Sequence, residues 1–173
     1  MRIRRARPDD LPSLMEFFRQ LDRLQAPWRV FPPRAGLSEE MEGRYVAILR
    51  DRDAILLMAE EGAGPIGMAA GHVHKPSSMS EDLAVELSSV FVLPSHRGRG
   101  VARALAAQVA TFARARGAHR VTLKTFAQNE EALAAWDRMG FIPRTIQMTA
   151  PVDALVASVT PLRERLSVEV QKR

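Results

Sequence analysis

The spacing of apolar positions changes repeatedly along the 173-residue chain, from the period of a strand to that of a helix and back. Ile3 to Ala6 reads as a short first strand. Asp9 or Asp10 stands where an N-cap belongs, before a helix from about Leu11 to Leu24 with Leu11, Leu14, Phe17, Phe18 and Leu21 on its buried stripe. Gln25 to Leu37 is irregular, with Pro27, Pro32, Pro33 and Gly36 around Trp28 and Phe31. A second helix follows from Ser38 to Leu49. Ala54 to Glu60 and Ile66 to His74 read as strands joined through Glu61-Gly-Ala-Gly-Pro65, and Leu83 to Leu93 as a long strand ending at Pro94. Val101, Leu105, Val109 and Phe112 mark a helix to Arg116, stopped by Gly117. Then come a strand at Val121–Phe126, a helix at Asn129–Met139 before Gly140, and a strand at Phe141–Met148 despite Pro143. In the tail, Val152 to Val159 has a helical face, and Leu166, Val168 and Val170 alternate like an edge strand.

Strands alternating with helices predict an α/β or α+β fold, one central sheet with helices packed on it, and this length suits a single domain. The chain has no cysteine, which excludes disulfides, thiolate zinc sites and a cysteine nucleophile. No apolar run approaches the ~18 residues of a membrane span. The basic start has no apolar stretch behind it, so no signal peptide is expected and the cytoplasm is the expected compartment.

The net charge of +5 matters less than its distribution. Residues 1 to 7 carry four Arg, residues 8 to 86 hold 14 acidic against 8 basic side chains, and Leu87 to Asn129 holds six Arg, one Lys and no acid. The aromatic residues of that basic stretch, Phe91, Phe112 and Phe126, have apolar neighbours, as core positions do. A local anionic ligand therefore fits better than nucleic acid. Within the stretch, Ser95-His-Arg-Gly-Arg-Gly100 joins the long strand to the 101–116 helix. The first turn of that helix offers free N–H groups and the positive end of its dipole. Gly98 and Gly100 leave the backbone open, and Arg97, Arg99 and Arg103 add charge, as a diphosphate requires. The P-loop pattern is absent. The dinucleotide fingerprint fails at Arg103, where its third glycine belongs, and Arg120 stands where its acidic residue belongs.

Arg97-Gly-Arg-Gly100-Val-Ala102 instead resembles the acyl-CoA loop of the GCN5-related N-acetyltransferase (GNAT) family, which reads Arg or Gln, two residues, Gly, one residue, then Gly or Ala. Asn129-Glu-Glu-Ala132 through Trp136 to Gly140-Phe141 is similar to a second segment of that family, with Trp136 where a tyrosine is usual. The first strand and helix, Ile3 to Leu14, also look like family usage. The resemblance covers residues 1–150 as one acyl-CoA-binding acetyltransferase domain and leaves 151–173 as an extension packing on the sheet or on a partner.

The resemblance implies a mixed sheet splayed where the strands at 83–93 and 121–126 part, with acetyl-CoA as cosubstrate wedged between them. It places the diphosphate on the amides of Arg97, Gly98, Arg99, Gly100, Val101 and Ala102. The pantetheine arm would run along Val90, Phe91 and Val92, with Asn129 and Trp136 near it, although Asn129 reads equally as a helix N-cap. Without cysteine, transfer to a primary amine is expected by direct attack in a ternary complex, and the resemblance puts the oxyanion on an amide near Val90 or Phe91. Indole is far too weak an acid to replace tyrosine, so Trp136 is expected to pack, and Tyr45, the one tyrosine, to be structural.

For the base, Glu86 comes first. Under strict alternation it shares a face with Ser88 and Val90, and a bulge would change this; water held by Ser88 and Ser89 is the alternative. His72 and His74 share a face on the preceding strand and are a further candidate for the base; as metal ligands they lack a third that spacing places, and no metal is expected. The acidic balance of residues 8–86 favours a cationic small-molecule or peptide amine as acceptor, with Trp28, Phe31 and Tyr45 as possible pocket residues. The other readings are a non-catalytic acyl-CoA-binding or regulatory domain and an N-acyltransferase for longer acyl chains. No membrane partner is expected, and the chain is expected to form a homodimer.

Overall fold

The computed structural model describes residues 1–29, 35–62, 64–74 and 83–158. The chain falls into two compact units, Met1–Met139 and Gly140–Arg173. In the first, strands β1 (Arg2–Arg5), β2 (Ala54–Glu61), β3 (Gly64–His74), β4 (Ala84–Val92) and β5 (Arg120–Leu123) lie side by side in that order. The first three junctions are antiparallel and the β4–β5 junction is parallel, which makes the sheet mixed, as expected. Helices α1 (Leu11–Gln25), α2 (Leu37–Arg50), α3 (Val101–Ala115) and α4 (Glu130–Asp137) accompany it.

Both faces of the sheet are covered, and β2 shows why its sequence is an almost unbroken apolar run. Ile55, Leu57 and Ala59 join Leu105, Val109 and Phe112 of α3 in one core. Leu56 and Met58 join Leu14 and Phe17 of α1 and Tyr45 of α2 in the other. Each fully buried Leu, Val or Phe side chain contributes about 1.5–3 kcal/mol.

Asp10 does not cap α1. Its carboxylate accepts from the Arg7 N–H and from the Arg4 guanidinium, which also pairs with Glu60 on β2. The Arg4 hydrogen bond holds the Asp10 carboxyl below its ordinary value. The entry to α1 is thus tied to the first two strands.

In the second unit the expected strand at 141–148 is absent. Residues 141–151 form no regular element, and 152–158 are helical. Pro143 lacks the N–H a ladder needs. Ile146 and Met148 are 86% and 88% exposed, so the apolar pattern that suggested a strand is not a buried face. The alternation at Leu166, Val168 and Val170 lies outside the described residues.

Candidate functional site

The site arises from an imbalance in strand length. β5 pairs with β4 only from Ala84 to Leu87, and β4 runs on to Val92. On its other edge β4 stays paired with β3 as far as Val92. Ser88 to Val92 therefore have no β5 partner among the described residues, and the two strands part there as the sequence led us to expect. A cleft of about 350 Å³ occupies the gap. Ser88, Ser89, Val90, Phe91 and Val92 line its floor. Phe18, Leu21, Met41 and Tyr45 form one wall, and Leu123, Asn129, Ala132 and Trp136 the other.

Past Val92 the chain makes a one-turn 3₁₀ helix, Pro94–His96, and then the glycine turn into α3. Gly98 and Gly100 have φ of +70° and +82°, a region L side chains rarely adopt, and a Cβ at either would meet nothing within 4 Å. The backbone surface there is open. Gly100 takes the N-cap position without a side-chain cap, leaving the first amides of the 15-residue helix α3 without a side-chain partner. Glu61 ties the turn to the β2–β3 hairpin through Arg99 at 2.9 Å and His96 at 3.5 Å. Arg97 lines the cleft, its Nε donating to the Val92 carbonyl at 3.3 Å and its Nη1 lying 3.4 Å from Glu131. Arg103 donates to the Arg138 carbonyl. This is a cationic, amide-rich mouth opening on a mostly apolar cleft, a form suited to a ligand with a phosphorylated head and a slender arm.

The expected residues divide by position. Ser88, Val90, Phe91, Val92, Arg97, Asn129 and Trp136 line the cleft, while Gly98, Arg99 and Gly100 lie in the turn into α3, which Val101 and Ala102 begin. The side chains of Phe91, Val92 and Val101 are buried in the cores, with Phe91 packed on Phe17 at 5.3 Å, so these residues can serve a ligand only through their backbone. Asn129 is an N-cap, its Oδ1 accepting from the Ala132 N–H at 3.1 Å, and it also lines the cleft.

Strict alternation along β4 does not hold. The pairing shifts between Ala70 and Gly71, leaving Ser88 as the extra residue of a bulge, its hydroxyl donating to the Ala70 carbonyl at 3.2 Å. Val85, Leu87, Val90 and Val92 consequently face the α3 core, and Phe91 faces the α1–α2 core. Glu86 shares the side of Ser89 and Phe91, not that of Val90. It does not line the cleft but lies just beyond Ser88, with Lys124 Nζ 3.8 Å from its carboxylate.

Tyr45 is structural, as expected. It is 1% exposed, its hydroxyl donates to Met68 Sδ at 3.7 Å, and burial pushes its phenol up to about 12. The Trp28 ring packs against Phe126 at 6.1 Å, and Phe31 lies outside the described residues. Sequence reasoning missed Asp22, Arg44, Lys124 and Thr125, which also line the cleft. Asp22 is paired with Arg29. Only the approach of α1, α2 and the segment after β5 brings them together, and no local motif signals it.

The chain is similar to known proteins in sequence and in fold. Streptothricin acetyltransferase from Streptomyces lavendulae is 33% identical over 113 residues, which cover 65% of this chain and 56% of that protein. The chain thus spans little more than half the length of that relative. The crystal structure of a tetramutant of the BH1408 protein from Bacillus halodurans superposes with a TM-score of 0.78 at 19% identity, over 88% of this chain and 100% of that one. Aminoglycoside N-acetyltransferase AAC(6')-Iy, solved in complex with CoA, superposes with a TM-score of 0.70 at 22% identity, over 87% and 93%. Residues 15–141, which contain α2, α3, the glycine turn and the parted strands, match the Acetyltransferase (GNAT) family, and the chain belongs to that family.

Proposed function

We propose that the chain transfers an acetyl group from acetyl-CoA to a primary amine by direct attack in a ternary complex. The observation that carries this reading is the parting of β4 and β5 beside the glycine turn. The diphosphate rests on the amides from Arg97 to Ala102, and the pantetheine arm adds alongside Ser88 to Val92 as a strand would. An amide near Val90 or Phe91 holds the oxyanion. The amine enters from the α1–α2 side, and its proton leaves through water held by Ser88 and Ser89 to Glu86. The CoA complex of the aminoglycoside N-acetyltransferase supports the choice of cosubstrate. The acidic balance of residues 8–86 supports a cationic small-molecule or peptide acceptor.

Free-thiol release from acetyl-CoA across a panel of amines tests the proposal, with acetyl-CoA binding measured alongside. Amine-dependent thiol supports transfer. Binding without any amine-dependent release supports the second reading, a non-catalytic acyl-CoA-binding domain.

Direct transfer here needs no protein acid, since a thiolate leaves and takes a proton from water readily. Trp136 is half-buried against the α3 core and lines the cleft, a packing role. Trp136→Phe is therefore expected to keep a substantial share of kcat. A loss of several orders of magnitude in a folded variant that still binds CoA would contradict this.

Assembly as a homodimer belongs to the same proposal, and exposed Ile142, Ile146, Met148 and Val152 support it. Light scattering on the full chain is expected to give about twice 19.2 kDa; a mass near 19.2 kDa would show a monomer.

A further inference from the structure

We propose that His72, His74 and Glu86 form a binding site for a divalent first-row transition metal ion, with zinc the ion its donors suit best. The sequence shows two histidines on one face of a strand and conceals the third ligand, because Glu86 reaches them only through sheet register. His72 pairs directly with Glu86, and the antiparallel pairing from Gly71 to His74 is regular, the Ser88 bulge falling after it. His74 follows His72 by two residues and so projects from the same face. One ligand atom from each side chain lies within 4.8 Å of the other two. A single point then lies within about 2.8 Å of all three, against the roughly 2.0–2.2 Å of zinc–nitrogen and zinc–oxygen bonds. Side-chain rotations that move each atom by about 1 Å close that difference, while two hydrogen-bonded strands hold the backbone fixed.

The donors select the ion. Two imidazoles and one carboxylate suit zinc, cobalt or nickel, whereas magnesium and calcium prefer all-oxygen shells. Three protein ligands leave a tetrahedral ion one open position. His74 is exposed and His72 and Glu86 are half-buried, so an ion reaches the site from solvent. Among the described residues the cation beside Glu86 is Lys124, whose side chain is 88% exposed and is displaced at little cost. None of the three ligands lines the cleft, so the ion does not occupy the proposed acyl-CoA groove; Glu86 is shared with the proposed proton route, and a bound ion withdraws it from that role.

Cobalt serves as the probe, because its visible absorption reports ligand number and geometry. The untagged 173-residue chain is stripped with chelator and titrated with Co²⁺. The expected result is one saturable site with the d–d bands of a nitrogen–oxygen shell, displaced by Zn²⁺. His72→Ala and His74→Ala are each expected to weaken Co²⁺ binding at least tenfold, with circular dichroism melting confirming that both variants fold. His96 and His119 remain in both variants and supply the background for adventitious binding. Absence of saturable binding, or unchanged Co²⁺ affinity in the two folded variants, would overturn the proposal. None of these readouts depends on acetyl transfer, so the metal site and the transferase reading fail separately.

Discussion

Gly100→Asp is expected to lower affinity for acetyl-CoA at least roughly tenfold, about 1.4 kcal/mol, by calorimetry on the folded variant. Two effects act in the same direction. At φ +82° an L side chain is strained by roughly 1–2 kcal/mol, so the turn shifts away from the arrangement that opens its amides. The carboxylate also brings negative charge to the uncapped first turn of α3, where the diphosphate is proposed to sit. Gly100→Ala separates the two, since it carries the strain without the charge and nothing within 4 Å obstructs its Cβ. The alanine variant is expected to lose less affinity than the aspartate variant. Normal acetyl-CoA binding by a folded Gly100→Asp chain would place the diphosphate elsewhere.

Glu86→Gln carries the other large expected effect. Gln keeps the shape of the side chain and removes its capacity as a base, for which losses of about 10²-fold or more in kcat are usual. Acetyl-CoA affinity is expected to be unchanged, because Glu86 lies beyond Ser88 and outside the cleft lining. Chelator-treated protein keeps the result independent of any bound metal. Steady-state rates with an amine substrate, read together with acetyl-CoA affinity, check both halves. A kcat within about twofold of the wild type would eliminate Glu86 and leave water on Ser88 and Ser89, or the histidine pair, as the route for the proton.

The α/β alternation, both long helices of the α1–α2 layer, α3 and the glycine turn were legible because each is a local pattern. The stripe Val101, Leu105, Val109 and Phe112 has one period and one buried side, so α3 came within a residue of its observed end at Ala115. What pairing decides was not legible. The Ser88 bulge depends on how β3 and β4 align and turns Glu86 away from Val90; the sequence of β4 gives no sign of it. Asp10 shows the same limit, since a residue with ideal N-cap chemistry is claimed by Arg4 and the Arg7 amide. At 141–148 an apolar spacing suggested a strand, but spacing carries no information about a pairing partner, and Pro143 removes one of the donors that pairing needs. Asp22, Arg44 and Lys124 come from three distant stretches, and their meeting at the cleft is a product of packing alone.

The central claim is that acyl-CoA occupies the gap where β4 outruns β5, and a crystal structure of the full chain with acetyl-CoA tests it most directly. The expected result places the diphosphate oxygens within hydrogen-bonding distance of amides between Arg97 and Ala102, with the pantetheine arm beside Ser88 to Val92 and the thioester near the backbone of Val90 or Phe91. Acetyl-CoA bound elsewhere, with the β4–β5 gap closed or filled by side chains, would contradict it.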